Sequence, residues 1–376
     1  MNEKEIAELR RRFRPDKCGI THVHGCYVNE SREIVSQFDQ SLGMMSQDES
    51  EKMLSLLKRT ISGTVGKNLI DIDFTTRQVM DGEEHKLLMA LRKSELNDTD
   101  AVQTFFHQVI DHLALDTSYL ILLAKDAYDV PYRSKDGDKQ SDASADVFSY
   151  ILCSICPVKL TKSALSYAAH ENRFYNHATD WVISPPELGF LFPAFDDRCT
   201  NIYGSLYYSR DIGESHQEFV DAVFHSELPM PAAAQKQTFE TILSDTLAEE
   251  CSYEVVQAVH GQISQLIEEH KANKETEPLV MSKLAVKRVL TSCGISESRE
   301  KAFDTEYDEA FGAEADLSPG NIVDTKQFEL RTPDVTIRVN PDRSDLIKTQ
   351  MINGAKYILI RADEGIEVNG VNIQIS

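Results

Sequence analysis

The chain has 376 residues, of which 41% are hydrophobic and 27% charged, a composition typical of a globular protein with room for two or three domains. Its net charge of −22 argues against broad binding to nucleic acid or anionic membranes, while it allows a local basic contact. The seven cysteines favour a reducing compartment, and no apolar run suits a signal peptide or a membrane span, so we expect a cytoplasmic protein.

The first 114 residues predict several helices and one strand. Residues 3–13 have the spacing of a short amphipathic helix, and residues 18–28, rich in β-branched side chains, favour a strand. Apolar residues then recur at intervals of three and four, which predicts helices over residues 47–60, 83–96 and 99–114.

Strand-forming residues dominate the next hundred positions. Between two such runs, residues 133–146 contain polar and small side chains, which predicts a mobile loop. We therefore expect a central sheet, mixed or antiparallel, whose strands cover residues 118–130, 147–158, 188–195 and 200–209.

The pattern changes after residue 213 to a helical period with an excess of acidic residues. The segment ends near residue 312, and we expect it to form a helical region with solvated acidic faces. The predicted helices cover residues 214–225, 232–250, 252–272, 281–292 and 297–311.

The last fifty residues alternate between apolar and polar side chains, as half-buried strands do. Asn369-Gly370 is a strong signal for a tight type I′ hairpin, and Asn353-Gly354 is a second candidate. These residues predict a small β-meander at the C-terminal end.

Together these elements predict an α+β protein that has a central sheet with flanking helices, an acidic helical region and a C-terminal β-meander. The predicted domain boundaries divide the chain into residues 1–210, 211–315 and 316–376.

Residues 174–208, which we call the aromatic block, contain nine of the thirty aromatic residues and the single tryptophan. Carboxylates in such an apolar segment must be hydrogen-bonded, paired or placed at the rim of a pocket. The block is therefore either a well-satisfied part of the core or a ligand- or partner-binding site. The candidate site residues are Trp181, Glu187, Phe195, Asp196, Asp197 and Arg198.

Two histidines near the N-terminus are weak metal-ligand candidates. His22 and His24 lie on one side of the predicted strand, where Cys18 and Cys26 are also found. The two cysteines would be about 26 Å apart on an extended strand at about 3.3 Å per residue, so all four cannot share one ion. Buried, hydrogen-bonded histidines are the favoured interpretation, and we predict no metal.

No motif in the sequence predicts a cofactor. Cys153 and Cys156 have the CxxC spacing, but they lie three apart in a predicted strand and so face opposite sides, as structural cysteines do. The segment Ser62–Lys67 resembles a phosphate loop, yet Ile61 and Asn68 stand where the motif needs Gly and Ser or Thr.

A short basic run lies at the end of the first predicted helix. It is either a solvated face with intramolecular pairs or a surface that contacts RNA through phosphates. The candidate phosphate-binding residues are Arg10, Arg11, Arg12, Arg14 and Lys17.

Several long segments closely resemble a bacterial family, found mainly in Gram-positive anaerobes, that is catalogued as a domain of unknown function. The resemblance covers essentially the whole chain and implies a bacterial cytosolic protein, without implying an activity or catalytic residues. The segments that carry it are GCYVNE, SGTVGKNLIDI, YILCSICPVKL, PELGFLFPAFDDR, TPDVTIRVNP and VNGVNI.

The sequence leaves two classes of function open. The leading hypothesis is a non-enzymatic interaction protein that binds a partner protein through the aromatic block or the acidic helices, with RNA or ribosome docking through the basic run as a more specific version. The alternative is an enzyme, such as a metal-assisted hydrolase, with a site around Glu187, Asp196 and Asp197 or around His22 and His24. The sequence predicts no catalytic residue and no oligomeric state.

Overall fold

The computed structural model describes residues 1–133, 139–211, 213–214, 216–273, 279–313, 315–362, 366–368 and 370–373; side chains are also left undescribed at a few positions inside helices and strands, including 139–146 and 177. The chain divides into two compact units, Met1–Pro231 and Ala232–Ser376. Each unit has its own apolar core.

The first unit is built around an antiparallel sheet in which seven strands follow one another in the order β2-β1-β4-β5-β9-β12-β3, with β8 paired to the end of β5. Every pairing between neighbours is antiparallel. The strands of this unit are β1 (His22–Val28), β2 (Ile34–Ser41), β3 (Leu69–Asp73), β4 (Tyr119–Arg133), β5 (Lys139–Leu160), β6 (Ala164–Ala168), β7 (Arg173–His177), β8 (Trp181–Ile183), β9 (Leu188–Phe192), β10 (Ala194–Asp196), β11 (Cys199–Asn201) and β12 (Gly204–Ser209).

Helices cover both faces of this sheet. One apolar cluster joins alternate strand residues to α4, α5 and α6, and the other joins the intervening residues to α1 and α2. Neighbouring residues of a central strand are therefore both buried, which explains why β4 and β5 have continuous apolar runs instead of alternation. The helices are α1 (Glu3–Arg10), α2 (Gln47–Arg59), α3 (Thr76–Asp81), α4 (Glu83–Lys93), α5 (Thr99–His112) and α6 (Gln217–Phe224).

The second unit contains a helical core and three strand pairs. Phe303 and Tyr307 are fully buried and pack among helices α7, α9 and α10, and His260 on α8 makes an edge-to-face contact with Phe328 on β13. The elements are α7 (Ala232–Leu247), α8 (Tyr253–Asn273), α9 (Lys283–Ser292), α10 (Glu297–Phe311), α11 (Pro319–Ile322), β13 (Phe328–Arg331), β14 (Thr336–Val339), β15 (Ile347–Ile352), β16 (Ala355–Ile360), β17 (Ile366–Val368) and β18 (Val371–Ile373).

The strands of the second unit form three two-stranded antiparallel pairs, β13-β14, β15-β16 and β17-β18. Asn353 and Gly354 join β15 to β16 and both have positive φ, 49° and 80°, as a type I′ turn requires. This turn was one of the two predicted from the sequence. In the other, Gly370 has a φ of 82° and Asn369 lies outside the described residues.

The α+β class and the antiparallel sheet are confirmed, and the residues of the predicted C-terminal β-meander form antiparallel strand pairs. Two strands of the sheet, β2 and β3, come from segments where the sequence predicts none. Both are edge strands: β2 is largely polar, and β3 has only five residues, so each sequence has a weak strand signal.

The predicted loop over residues 133–146 is different in the structure. Arg133 ends β4, residues 134–138 lie outside the described part, and residues 139–146 already belong to β5. Polar composition does not distinguish a loop from a strand in this segment. A pair of strands that no helix covers can have polar residues on both faces.

The two compact units also differ from the three predicted segments. Helix α6 packs against the sheet through Phe219 and Phe224, so it belongs to the first unit, and the C-terminal strand pairs are grouped with the helices of the second. Within the described residues, no helix is long and apolar enough to cross a membrane.

Candidate functional site

Residues 158–183 form a β-ribbon that continues beyond the large sheet. The end of β5 pairs with β8, Val158 opposite Ile183, and β6 pairs with β7 in the same register, Ala168 opposite Arg173. The two strands of the ribbon therefore run side by side for eleven residues, or about 36 Å at about 3.3 Å per residue. We call residues 158–183 the aromatic ribbon.

Both faces of the aromatic ribbon expose apolar side chains. Residues directly opposite each other in an antiparallel pair share a face, so Tyr167 and its partner Phe174 lie together, and their rings contact at a centroid distance of 5.2 Å. That face also has Leu165 and Val182, and these four side chains are between 49% and 75% exposed. The ribbon thus presents an apolar surface in place of the polar one expected for a solvated hairpin.

The opposite face of the ribbon contains Trp181, which is 58% exposed. Its indole makes an edge-to-face contact with Tyr27 of β1, with ring centroids 6.2 Å apart. Leu160, directly opposite Trp181, is 53% exposed. The tryptophan is therefore anchored on one side and accessible on the other, as the aromatic anchors of protein interfaces are.

The C-terminal half of the aromatic block is buried in the core of the first unit. Phe190, Phe192 and Phe195 are each 0% exposed. The ring of Phe195 lies 4.7 Å from that of Phe148 and 6.0 Å from that of Tyr128. The structure thus divides the block into an exposed ribbon and a packed core.

Asp197 and Arg198 form the turn between β10 and β11, with φ values of 48° and 60°. The Arg198 guanidinium donates hydrogen bonds to both oxygens of Glu8, at 2.8 and 3.3 Å, and to the carbonyl of Pro131 at 3.0 Å. Burial alone would lower the pKa of Arg198, but its bonds to Glu8 and the Tyr128 hydroxyl outweigh burial and raise it. This arginine holds α1 against the sheet.

Two carboxylates of the block, Glu187 and Asp196, are engaged in intramolecular pairs. Glu187 lies 2.7 Å from the Arg210 guanidinium. Asp196 accepts a hydrogen bond of 2.6 Å from Asn201 and lies 3.0 Å from the Met1 ammonium. These groups do not converge on one another, so the structure does not bring the predicted carboxylates together in a single site.

A buried polar centre lies beneath α1, where the sequence analysis identified no site. Asp126 is 0% exposed and accepts hydrogen bonds from Tyr150 Oη at 2.9 Å and from the backbone N–H of Gly19 at 2.9 Å. Arg12 lies 3.7 Å from the same carboxylate. Asp126 lies within the apolar segment of β4, and this carboxylate was the feature of the sequence that could have predicted the centre. Because its acceptors are occupied, this centre acts as a structural anchor.

The five residues of the basic run have separate roles. Arg10 donates to the carbonyls of Ile61 and Gly63, at 2.5 and 3.0 Å, and Arg12 lies over the Tyr128 ring at 4.2 Å. These two cations are used inside the first unit. The other three, which remain exposed on the surface, are Arg11, Arg14 and Lys17.

The histidine pair lies on β1, where His22 is exposed and His24 is partly buried, so the prediction of buried histidines is wrong for His22. His22 contacts the hydroxyl of Thr21 at 3.1 Å, and His24 lies 4.0 Å from Asp39 on β2. Within the described residues there is no group of three or more His, Cys, Asp or Glu arranged to hold a metal ion.

The CxxC pair lies inside the sheet on opposite faces. Cys153 belongs to the apolar cluster on one side and Cys156 to the cluster on the other. Burial raises the pKa of Cys156 to about 12 and that of Cys153 well above its ordinary value. Both thiols are therefore protonated at neutral pH, the inert state of structural cysteines.

A family model described as a domain of unknown function, DUF4317, matches residues 1–371. The chain belongs to this DUF4317 family. No curated protein matches the chain. The family match includes both compact units, so the aromatic ribbon and the second unit are parts of the matched region and not additions outside it.

The ribbon residues other than Trp181 were missed because β6 and β7 have only five residues each. The alternation in Ala164–Ala168 was the available signal. Of the candidate residues in the block, the structure exposes Trp181 and Asp197 and partly or fully buries the other four.

Proposed function

We propose that this DUF4317 protein is a non-enzymatic interaction protein of the bacterial cytoplasm that binds a partner protein through the aromatic ribbon. The observation that supports this proposal is the exposure of Leu165, Tyr167, Phe174 and Val182 on one face of the ribbon, between 49% and 75% each.

A two-stranded ribbon by itself is marginally stable in water. Apolar side chains on both of its faces add unfavourable hydration, so a partner that covers them gains the hydrophobic free energy that the folded chain leaves unused. Tyrosine and tryptophan are also the side chains that most often dominate binding energy at interfaces. Tyr167 and Trp181 are therefore the expected anchors.

The charge of the ribbon is compatible with a protein partner. Residues 158–183 contain Lys159, Lys162 and Arg173 against Glu171 and Asp180, in a chain whose net charge is −22. The ribbon is thus less acidic than the chain as a whole, so a second acidic protein approaches it with less repulsion. We infer a partner whose contact surface is apolar and uncharged at its centre.

RNA docking through the basic run has weaker support. Arg10 and Arg12 are used in intramolecular contacts, and the exposed Arg14 lies 3.3 Å from Asp16, so few of the five cations are left for phosphates. An enzymatic site around Glu187 and Asp196 also has weaker support, because each carboxylate is held by a neighbouring cation.

The test is capture of the partner followed by reconstitution. A protein that cross-links to this chain in a lysate is identified and purified. Its dissociation constant is then measured by calorimetry with wild type and with the double variant Leu165→Ser/Phe174→Ser. We expect affinity to fall at least about 10-fold, equal to about 1.4 kcal/mol, because two exposed apolar side chains beside the anchors lose their contact with the partner.

The matched control is Met80→Ser/Val280→Ser, which changes two apolar side chains that are 69% and 55% exposed outside the ribbon. This control should bind with wild-type affinity. Wild-type affinity in the ribbon variant would overturn the proposal. Capture that is lost after nuclease treatment and in Arg11→Glu/Arg14→Glu would also overturn it and would favour RNA docking instead.

A further inference from the structure

The two edges of the large sheet differ in how they are protected. Strand β3 ends the sheet on one side and β2 ends it on the other. An unprotected edge strand offers unpaired backbone N–H and C=O groups to another chain, and natural proteins block such edges with charges, proline or a covering element.

The β3 edge is short and charged. Its five residues include Asp71 and Asp73, and the Met1 ammonium lies 2.9 Å from Asp71 Oδ1. Antiparallel pairing of β3 with a second copy, centred on Asp71, would place two carboxylates opposite each other, which is unfavourable. This edge is therefore protected by its own charges.

The β2 edge has little of this protection. Its eight residues, IVSQFDQS, contain one charged residue, Asp39, and no proline. Five of the eight are exposed, including the apolar residues Val35, at 56%, and Phe38, at 38%. In the described part of the chain, the backbone hydrogen bonds of β2 are made to β1.

The hydrogen-bond pattern shows which backbone groups of β2 point outward. Leu42 N–H donates to Thr21 C=O at 2.9 Å, and these two residues continue the register that pairs Ser41 with His22. Bonded pairs alternate along an antiparallel ladder. The backbone groups of Gln37 and Asp39 therefore point away from β1 and toward the open edge.

We propose that β2 pairs with β2 of a second copy of this chain, antiparallel and about a twofold axis at Phe38. In this register, Gln37 of each copy lies opposite Asp39 of the other, and both residues have their backbone groups directed at the partner strand. The pairing forms a C2 dimer whose two sheets join through their β2 edges, the symmetry most common among homo-oligomers.

Side-chain chemistry is consistent with this register. The two Phe38 residues lie opposite each other at the axis as a non-hydrogen-bonded pair, and each ring is turned over its own β1 and away from the axis. Gly25 lies directly beneath Phe38 on β1, where a Cβ would come within 2.0 Å of the ring, so the ring rests on β1. Each Asp39 faces a glutamine and not the other carboxylate.

The first test is solution mass by light scattering for wild type, Asp39→Pro and Asp73→Pro. Wild type should have twice the 42.4 kDa chain mass. Asp39→Pro removes an outward-pointing N–H without removing a bond to β1, so it should give a monomer. Asp73→Pro is the matched control on the opposite edge and should remain a dimer. Phe74 N–H donates a hydrogen bond to Tyr203 C=O, so the N–H of the preceding Asp73 likewise points outward.

The second test fixes the register. Phe38→Cys should form a disulfide-linked dimer under mild oxidation, because opposite residues of a non-hydrogen-bonded pair have Cα atoms about 4.5 Å apart, within the range for a disulfide. Met80→Cys, at an exposed site on α3, should not. A monomeric wild type, an Asp39→Pro dimer, or no cross-link through Phe38→Cys would overturn the proposal, as would displacement of the second copy by an unrelated extended peptide.

Discussion

The aromatic ribbon and the buried half of the aromatic block are neighbours in sequence and similar in composition, yet they have opposite surroundings. Phe190 on β9 is 0% exposed and packs against Phe105 of α5, whereas Phe174 on β7 is 68% exposed. Strand β9 has a partner on each side and helices over both faces of its sheet; β7 has one partner, β6.

An aromatic sequence that favours a strand therefore does not by itself determine whether its side chains are buried. Burial depends on how many edges of the strand are paired and how many faces are covered, because neighbouring residues exclude water from a side chain. The same residue type should therefore contribute to folding in one region and to association in the other.

The largest effect is expected from Phe195→Ala. The change leaves a cavity beside Phe148 and should reduce the free energy of unfolding of the first unit by about 3–5 kcal/mol. Urea unfolding followed by Trp181 fluorescence measures it, because the single tryptophan lies in this unit. A loss below about 1 kcal/mol would contradict the proposed packing.

Asp126→Ala should be nearly as destabilising, by about 3–5 kcal/mol, since it leaves Arg12 and the Tyr150 hydroxyl buried without their carboxylate. Asp129→Ala, an exposed aspartate on the same strand, is the control and should change stability by less than about 0.5 kcal/mol. Equal effects in the two variants would show that the buried centre is not an anchor.

Substitution of two buried tyrosines by phenylalanine is expected to change stability by an intermediate amount, in opposite directions or with one neutral. Tyr150→Phe removes the hydrogen bond to Asp126 and should destabilise the unit by about 1–3 kcal/mol. Tyr119 Oη is buried without a hydrogen-bond partner among the described residues, so Tyr119→Phe should be neutral or stabilising. Comparing the two unfolding curves tests the assignment.

The same two tyrosines predict a loss of stability at alkaline pH. Burial raises the pKa of Tyr119 to about 12, and burial together with Asp126 raises that of Tyr150 well above its ordinary value. The unfolded chain releases these protons near pH 10 while the folded chain retains them, so the stabilising contribution is complete below about pH 10 and decreases above it. Tyr119→Phe should reduce this decrease between pH 10 and 12.

The smallest effect on stability is expected from Phe174→Ser. Because the ring is exposed, the free energy of unfolding should change by less than about 0.5 kcal/mol, measured by the same fluorescence method. A loss comparable to that of Phe195→Ala would mean that the ribbon belongs to the core and would remove the basis for a partner surface.

Much of the fold follows from local pattern. Helices α2, α4 and α5 and strands β4 and β9 begin within a few residues of their predicted positions, because their apolar spacing is strong. The edge strands β2 and β3 and the ribbon strand β6 were not predicted, since β2 is largely polar and the alternation in β3 and β6 extends over only five residues each.

The sequence by itself determined the α+β class, the helix positions, the Asn353-Gly354 turn and the requirement that carboxylates among aromatic residues be paired, because each depends on local chemistry. Only the tertiary structure decided which aromatic residues are covered, which cations are used internally and which sheet edge is open. These properties depend on neighbours far apart in sequence: Arg198 meets Glu8, Arg12 meets Asp126, and the continuous register of residues 158–183 carries the aromatic ribbon beyond the helices.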